Sequence, residues 1–102
     1  MKNSADMREM AAAAERVSAL LKTLGHKDRL LVLCSLAEGE RAVGELAADL
    51  NLSQSSLSQH LARMRNQGLV ETRRESQTIY YSLRDGDVRD LIRSLYDIFC
   101  PG

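Results

Sequence analysis

The stretch VGELAADLNLSQSSLSQHLARMRNQGLVETRRESQTIYYSL, residues 43–83, constrains the fold more than any other part of the chain. Its hydrophobic spacing predicts a short helix over residues 43–50, then a tight turn at Asn51, a residue that tolerates the left-handed conformation. Ser53 is a good N-cap for a second helix that reaches about Gln67 and stops before Gly68. Residues 70–74 and 79–83 then read as the two strands of a hairpin, with Ile79, Tyr81 and Leu83 alternating towards the core. Helix, turn, helix and hairpin in that order make a helix-turn-helix with a wing.

The flanking segments are helical too. Met7, Met10, Ala11, Ala14, Val17, Leu21 and Leu24 form one stripe over residues 7–24, and Gly25 is placed to end that helix as a C-cap. A second helix is expected over residues 27–37, with Leu30, Leu33, Cys34 and Ala37 along one face. The clearest periodicity lies in residues 87–100, where Val88, Leu91, Ile92, Leu95, Ile98 and Phe99 recur at helical steps. Asp87 and Asp90 suit the positive end of that helix. The expected fold is therefore mainly α with a small β-hairpin: four helices, two strands and a fifth helix, in a single domain over residues 1–102. The helix-turn-helix occupies residues 43–67 and the wing residues 69–84.

Composition agrees with a small helical domain. Aromatic residues make up 4% of the 102 residues against 44% hydrophobic, so Leu, Ala and Val must supply the core. No apolar run is long enough to span a bilayer, and the opening MKNSADMREM lacks the apolar core of a secretory signal, so a cytoplasmic location with reduced thiols and no membrane partner is expected. An enzyme is not expected. There is no nucleophile with a base and orienting group, no glycine-rich phosphate loop and no H-E-x-x-H.

The net charge of +0 taken as a sum argues against a polyanion partner, but its distribution does not. Residues 53–84 carry five arginines against Glu71 and Glu75, while both flanks are slightly acidic. Leu57, Leu61 and Met64 turn one face of the second helix inwards. Ser55, Ser56, Gln59, Arg63 and Asn66 then point away. Serine and glutamine suit base edges, glutamine pairing bidentately with adenine, and the backbone amides of Gln54 and Ser55 lie where a phosphate is favoured. Arg73 and Arg74 cannot both face one side of a strand. With Gln77 at the wing tip they are candidates for phosphate or minor-groove contact.

The stretch LSQSSLSQHL resembles the recognition-helix signature of the ArsR family of bacterial winged-helix repressors. That resemblance carries Gln54, Ser55, Ser58 and His60 over as DNA contacts, although by angle His60 flanks the core. It implies a homodimer built from the helices at residues 7–24 and 87–100, with two recognition helices one DNA turn (roughly 34 Å) apart on an imperfect inverted repeat of double-stranded DNA. LLKTLGHKDRLLVLCSL and LIRSLYDIFCP are further similar to the sulfide- and persulfide-responsive branch of the family, which includes biofilm-growth-associated repressors. What this implies is that Cys34 and Cys100 of one subunit join through a disulfide or a sulfur-bridged link on meeting reactive sulfur species, and that DNA is then released.

Taken alone, Cys34 on an apolar helix face reads as a small buried hydrophobe. Cys100, just before Pro101 and Gly102, reads as an exposed thiol at a mobile chain end. Which of the two attacks first stays open. No metal or cofactor is expected: the third helix, GELAADL, has no cysteine, the last helix offers Asp87, Asp90 and Asp97 but no histidine, and His26 and His60 lie in different elements. The competing readings are peroxide sensing through a Cys34 sulfenic acid, metal regulation of the ArsR kind, and a winged-helix protein-interaction module.

Overall fold

The computed structural model describes residues 4–100, with side chains from Asp6 onwards, so the chain end expected to be mobile at Pro101 and Gly102 lies outside the described residues. The elements run α1 (Ser4–Leu24), α2 (Lys27–Glu38), β1 (Arg41–Ala42), α3 (Val43–Leu50), α4 (Gln54–Asn66), β2 (Val70–Glu75), β3 (Thr78–Leu83) and α5 (Gly86–Phe99). All five expected helices are present, together with both wing strands. The chain divides into two compact units between Leu30 and Leu31, inside α2.

The first unit is α1, a short corner and the first turn of α2. The corner is held by local hydrogen bonds. The Gly25 amide donates to the Leu21 carbonyl at 2.9 Å and the Thr23 hydroxyl donates to the Ala19 carbonyl at 3.3 Å. Gly25 ends the helix as expected but not by a left-handed cap, since among the described glycines only Gly39 and Gly68 have positive φ. The cap is supplied instead by Arg29, whose Nε donates to the Thr23 carbonyl at 3.0 Å, placing a cation at the negative helix end. His26 Nδ1 accepts the Asp28 amide at 3.1 Å and so opens α2. Met7, Met10 and Leu21 of the α1 stripe are exposed.

The second unit holds the winged core. Val32, Leu33 and Leu36 of α2, Leu46 of α3, Leu57, Leu61 and Met64 of α4, and Val88 and Ile92 of α5 are buried. Leu57, Leu61 and Met64 fall on one stripe of α4, which fixes that helix's rotation about its axis. The turn between α3 and α4 is set by chain chemistry at both ends. Asn51 sits at φ 55°, ψ 47°, its amide bonded to Ala48 O and that of Leu52 to Ala47 O at 3.0 Å. This is the paired closure of a left-handed C-cap. Ser53 then caps α4, its Oγ accepting the Ser56 amide at 3.1 Å. Gly68, at φ 77°, closes the other end of α4 with the same bonding pattern, Leu69 N to Met64 O at 3.0 Å.

The sheet has three antiparallel strands in the order β1-β3-β2, with Arg41 opposite Tyr81, Ala42 opposite Tyr80 and Arg73 also opposite Tyr80. The two-residue β1, absent from the sequence-based expectation, makes Tyr80 the centre of a cross-strand row. The inward alternation of Ile79, Tyr81 and Leu83 is only partly realised: Leu83 is buried and Tyr81 half-buried, but Ile79 is exposed. Strand alternation continues past the edge of the core, so Ile79 keeps the parity of Leu83 but lies beyond the buried layer. Among the described residues no helix is long and apolar enough to cross a membrane.

Candidate nucleic-acid interface and thiol pair

Capping at Ser53 and the buried stripe on α4 leave Gln54, Ser55, Ser58, Gln59, Arg63 and Asn66 exposed on one helix. Ser56, expected to point outwards with them, is half-buried beside the buried Leu57, and its amide donates to the Ser53 cap. His60 is half-buried at the edge of the stripe. The exposed set is short-chained and hydrogen-bonding at the helix start, with a cation one turn from its end. Such a face can reach base edges first and phosphate second.

In the wing the two arginines separate by strand parity. Arg74 pairs with Ile79 in register, on the face whose inner positions, Val70 and Leu83, are buried. It is exposed at the end of that face. Gln77 is exposed in the two-residue turn beside Ser76, which takes φ 55°. Arg73 lies on the opposite face and is occupied. Its Nε and Nη2 donate to Glu40 Oε2 and Oε1 at 3.0 and 2.7 Å, and its Nη1 donates to Glu75 Oε2 at 2.8 Å. Its guanidinium sits 4.7 Å from the centroid of the Tyr80 ring. The hydrogen bonds from Arg73 hold the Glu40 carboxyl below its usual range, while the two carboxylates raise the Arg73 guanidinium. Sequence reasoning missed this partner, since Glu40 lies 33 residues away and precedes a strand too short to leave a pattern.

The two cysteines are both free and both lie in the second unit. Cys34 is half-buried on α2, and Cys100 is exposed just past α5, its amide donating to the Tyr96 carbonyl at 2.8 Å. Cys34 lines a groove of about 660 Å³ whose apolar wall includes Leu31, Ala37, Leu50 and Ile92, with Arg93 and Tyr96 on the α5 side. Burial pushes the Cys34 thiol above its ordinary value, and the nearby Cys100 and Glu38 push it the same way. Cys100 is thus close enough to Cys34 for its charge to bear on that thiol. At the end of α5, Tyr96, Ile98 and Phe99 are exposed.

A polar reading helix packed behind a capped turn, beside a hairpin that exposes Arg74 and Gln77, defines a winged helix-turn-helix DNA-binding protein. The bacterial regulatory protein model of the arsR family matches residues 26–72. The biofilm growth-associated repressor of Agrobacterium fabrum is 48% identical over 89% of this chain and 78% of its own length. The crystal structure of the transcriptional repressor BigR from Xylella fastidiosa superimposes with a TM-score of 0.87 at 43% identity, covering 94% of this chain and 98% of that one. The solved structure of reduced HlyU from Vibrio cholerae gives a TM-score of 0.84 at 44% identity, covering 91% of this chain and 98% of that one. The chain belongs to the ArsR family and is a DNA-binding transcription regulator of the winged-helix repressor type.

Proposed function

We propose that this regulator is a homodimeric repressor whose hold on DNA is controlled by thiol chemistry at Cys34 and Cys100. The observation that carries the reading is a pair of free thiols in one compact unit, one half-buried and one exposed, with Cys100 near enough to raise the Cys34 thiol. A solved relative in a form described as reduced is consistent with it.

The exposed Cys100 meets a dissolved persulfide first. Its thiolate attacks the outer sulfur of RSSH, forming Cys100–SSH and expelling RS⁻. The Cys34 thiolate then attacks the inner sulfur, closing the Cys34–Cys100 bond and expelling hydrosulfide. The two cysteine sulfurs are oxidised and the transferred sulfur is reduced, so no other oxidant is required. Attack between two persulfidated cysteines would instead leave a bridging sulfur in the link. Burial of Cys34 favours this order over peroxide oxidation of Cys34 alone, because a thiol pushed upward is a poor first nucleophile at neutral pH. The link ties the end of α5 to α2. A coupling of the usual size, on the order of 5- to 150-fold in affinity, is enough to release an operator.

DNA is read by Gln54, Ser55, Ser56, Ser58, Gln59 and Arg63, with His60 at the edge and Arg74 and Gln77 from the wing. The uncovered apolar residues of α1 and α5 support the dimer, which would present two recognition helices to an imperfect inverted repeat. The outward face of serine and glutamine favours DNA over a purely protein-binding winged helix, as an ordinary solvated face would use Glu and Lys. The test is a gel shift of reduced, peroxide-treated and persulfide-treated protein on a promoter duplex, with footprinting. Loss of the shift under persulfide and protection of two half-sites support the reading. A persistent shift under persulfide, or one asymmetric protected site, overturns it.

A further inference from the structure

We propose that Glu40 is a positioning residue for the DNA-reading wing, acting through Arg73, and that Arg73 itself does not touch DNA. The proposal rests on the DNA-binding reading above and concerns how the wing is aimed. Glu40 directly precedes β1, and β1 runs straight into α3, the first helix of the helix-turn-helix. Arg73 reaches from β2 over the ring of Tyr80 on the central strand and meets Glu40 side-on through two hydrogen bonds. The joint therefore bridges the two outer strands across the middle one and ties the hairpin to the leading end of the helix-turn-helix.

The wing needs such a tie. β1 pairs with β3 at only two positions, Arg41 with Tyr81 and Ala42 with Tyr80. Beyond Tyr80 the wing is a two-stranded hairpin with no third strand, and isolated hairpins are marginal in water. Exposed ion pairs usually contribute little, but a side-on fork, a second carboxylate at Glu75 and an aromatic face beneath form the networked case in which they matter. A second bond holds the same segment: the Ala42 amide donates to Glu45 Oε1 of α3 at 2.9 Å. For Arg73 to reach a phosphate it would have to give up its bonds to two carboxylates. It would also leave Glu40 and Glu75 facing the polyanion.

The test compares wild type with Glu40→Gln, Arg73→Gln, Arg73→Lys and the Glu40→Gln/Arg73→Gln double variant. Two readouts are taken: amide exchange of residues 72–80 in the free protein, and salt-dependent binding to a duplex that the wild type selects from random sequence. Every variant should exchange faster in the wing and bind more weakly, on the order of two- to tenfold. The double variant should be no worse than either single one, and the dependence on salt should keep its slope. Arg73→Lys should behave like the glutamine variant, because it keeps the charge but loses the fork. Tighter or unchanged binding by Glu40→Gln, additive losses, or unchanged wing exchange overturns the proposal. So does a slope reduced by about 0.9 per chain in Arg73→Gln, the mark of a lost phosphate contact. Failure of the wild type to bind any duplex would strike the DNA reading instead, and the exchange measurement would still decide the joint.

Discussion

Arg73 and Arg74 are neighbours in sequence and opposites in the wing: one lies over the Tyr80 ring with its nitrogens on Glu40 and Glu75, the other pairs with Ile79 on the far face and is exposed. Strand parity alone requires the separation, and the carboxylates decide which arginine is left for a polyanion. Arg74→Gln should therefore lower the slope of log affinity against log salt by about 0.9 for each chain bound. A titration over a range of salt concentrations reads this, and an unchanged slope would remove Arg74 from the interface.

Base reading and phosphate holding should come apart on α4. Gln59→Ala and Ser55→Ala leave the charge of the protein untouched, so nonspecific affinity and its salt dependence should stay as they are. Discrimination between the operator and a scrambled duplex should fall by about 1–3 kcal/mol for a lost bidentate contact. Competition binding against the scrambled duplex measures it. Equal losses on both duplexes would mean that these residues only shape the helix.

The turn before α4 rests on two small polar residues. Ser53→Ala removes the acceptor for the Ser56 amide and should cost about 1 kcal/mol in urea unfolding. Asn51→Val forces a β-branched residue into φ 55° and should cost more, about 1–2 kcal/mol, whereas Asn51→Gly should be nearly neutral.

Cysteine labelling should follow burial. Alkylation mapped by peptide mass should modify the exposed Cys100 before Cys34, with the Cys34 rate still climbing above its ordinary thiol value of 9.0. The sign for stability follows. A thiol whose proton is held more tightly in the folded state stabilises the fold below its unfolded value, and that contribution is lost as pH rises through the folded value. Unfolding midpoints should thus begin to fall above about pH 9 in wild type, and less steeply in Cys34→Ala.

The dimer is tested at the end of α5. Ile98 is 66% exposed and Phe99 75%. Ile98→Glu should shift sedimentation from dimer to monomer and weaken operator binding while leaving the circular dichroism of the chain intact. A monomeric wild type would contradict the proposed assembly.

Much of this architecture was legible in the sequence because it is written locally. The α4 stripe of Leu57, Leu61 and Met64, the Ser53 cap and the Asn51 turn each depend on residues within a few positions of one another. What escaped depends on distant partners or on where the core ends. β1 has two residues and exists only because Tyr80 and Tyr81 lie opposite it. Ile79 kept its strand parity but lies past the last buried layer. Gly25 terminates α1 without a positive φ because Arg29, from the next helix, reaches back to the carbonyl. Arg73 carried the same sequence signal as Arg74, and only the fold brings Glu40 to it.

The thiol switch is tested most directly by intact mass spectrometry on the DNA-bound and released fractions of persulfide-treated wild type and Cys100→Ser. Released wild-type chains should have lost two hydrogens, or gained bridging sulfur, while DNA-bound chains should be reduced. Cys100→Ser should stay bound throughout. Release of Cys100→Ser by persulfide, or wild type that is cross-linked between Cys34 and Cys100 yet still on DNA, would contradict it.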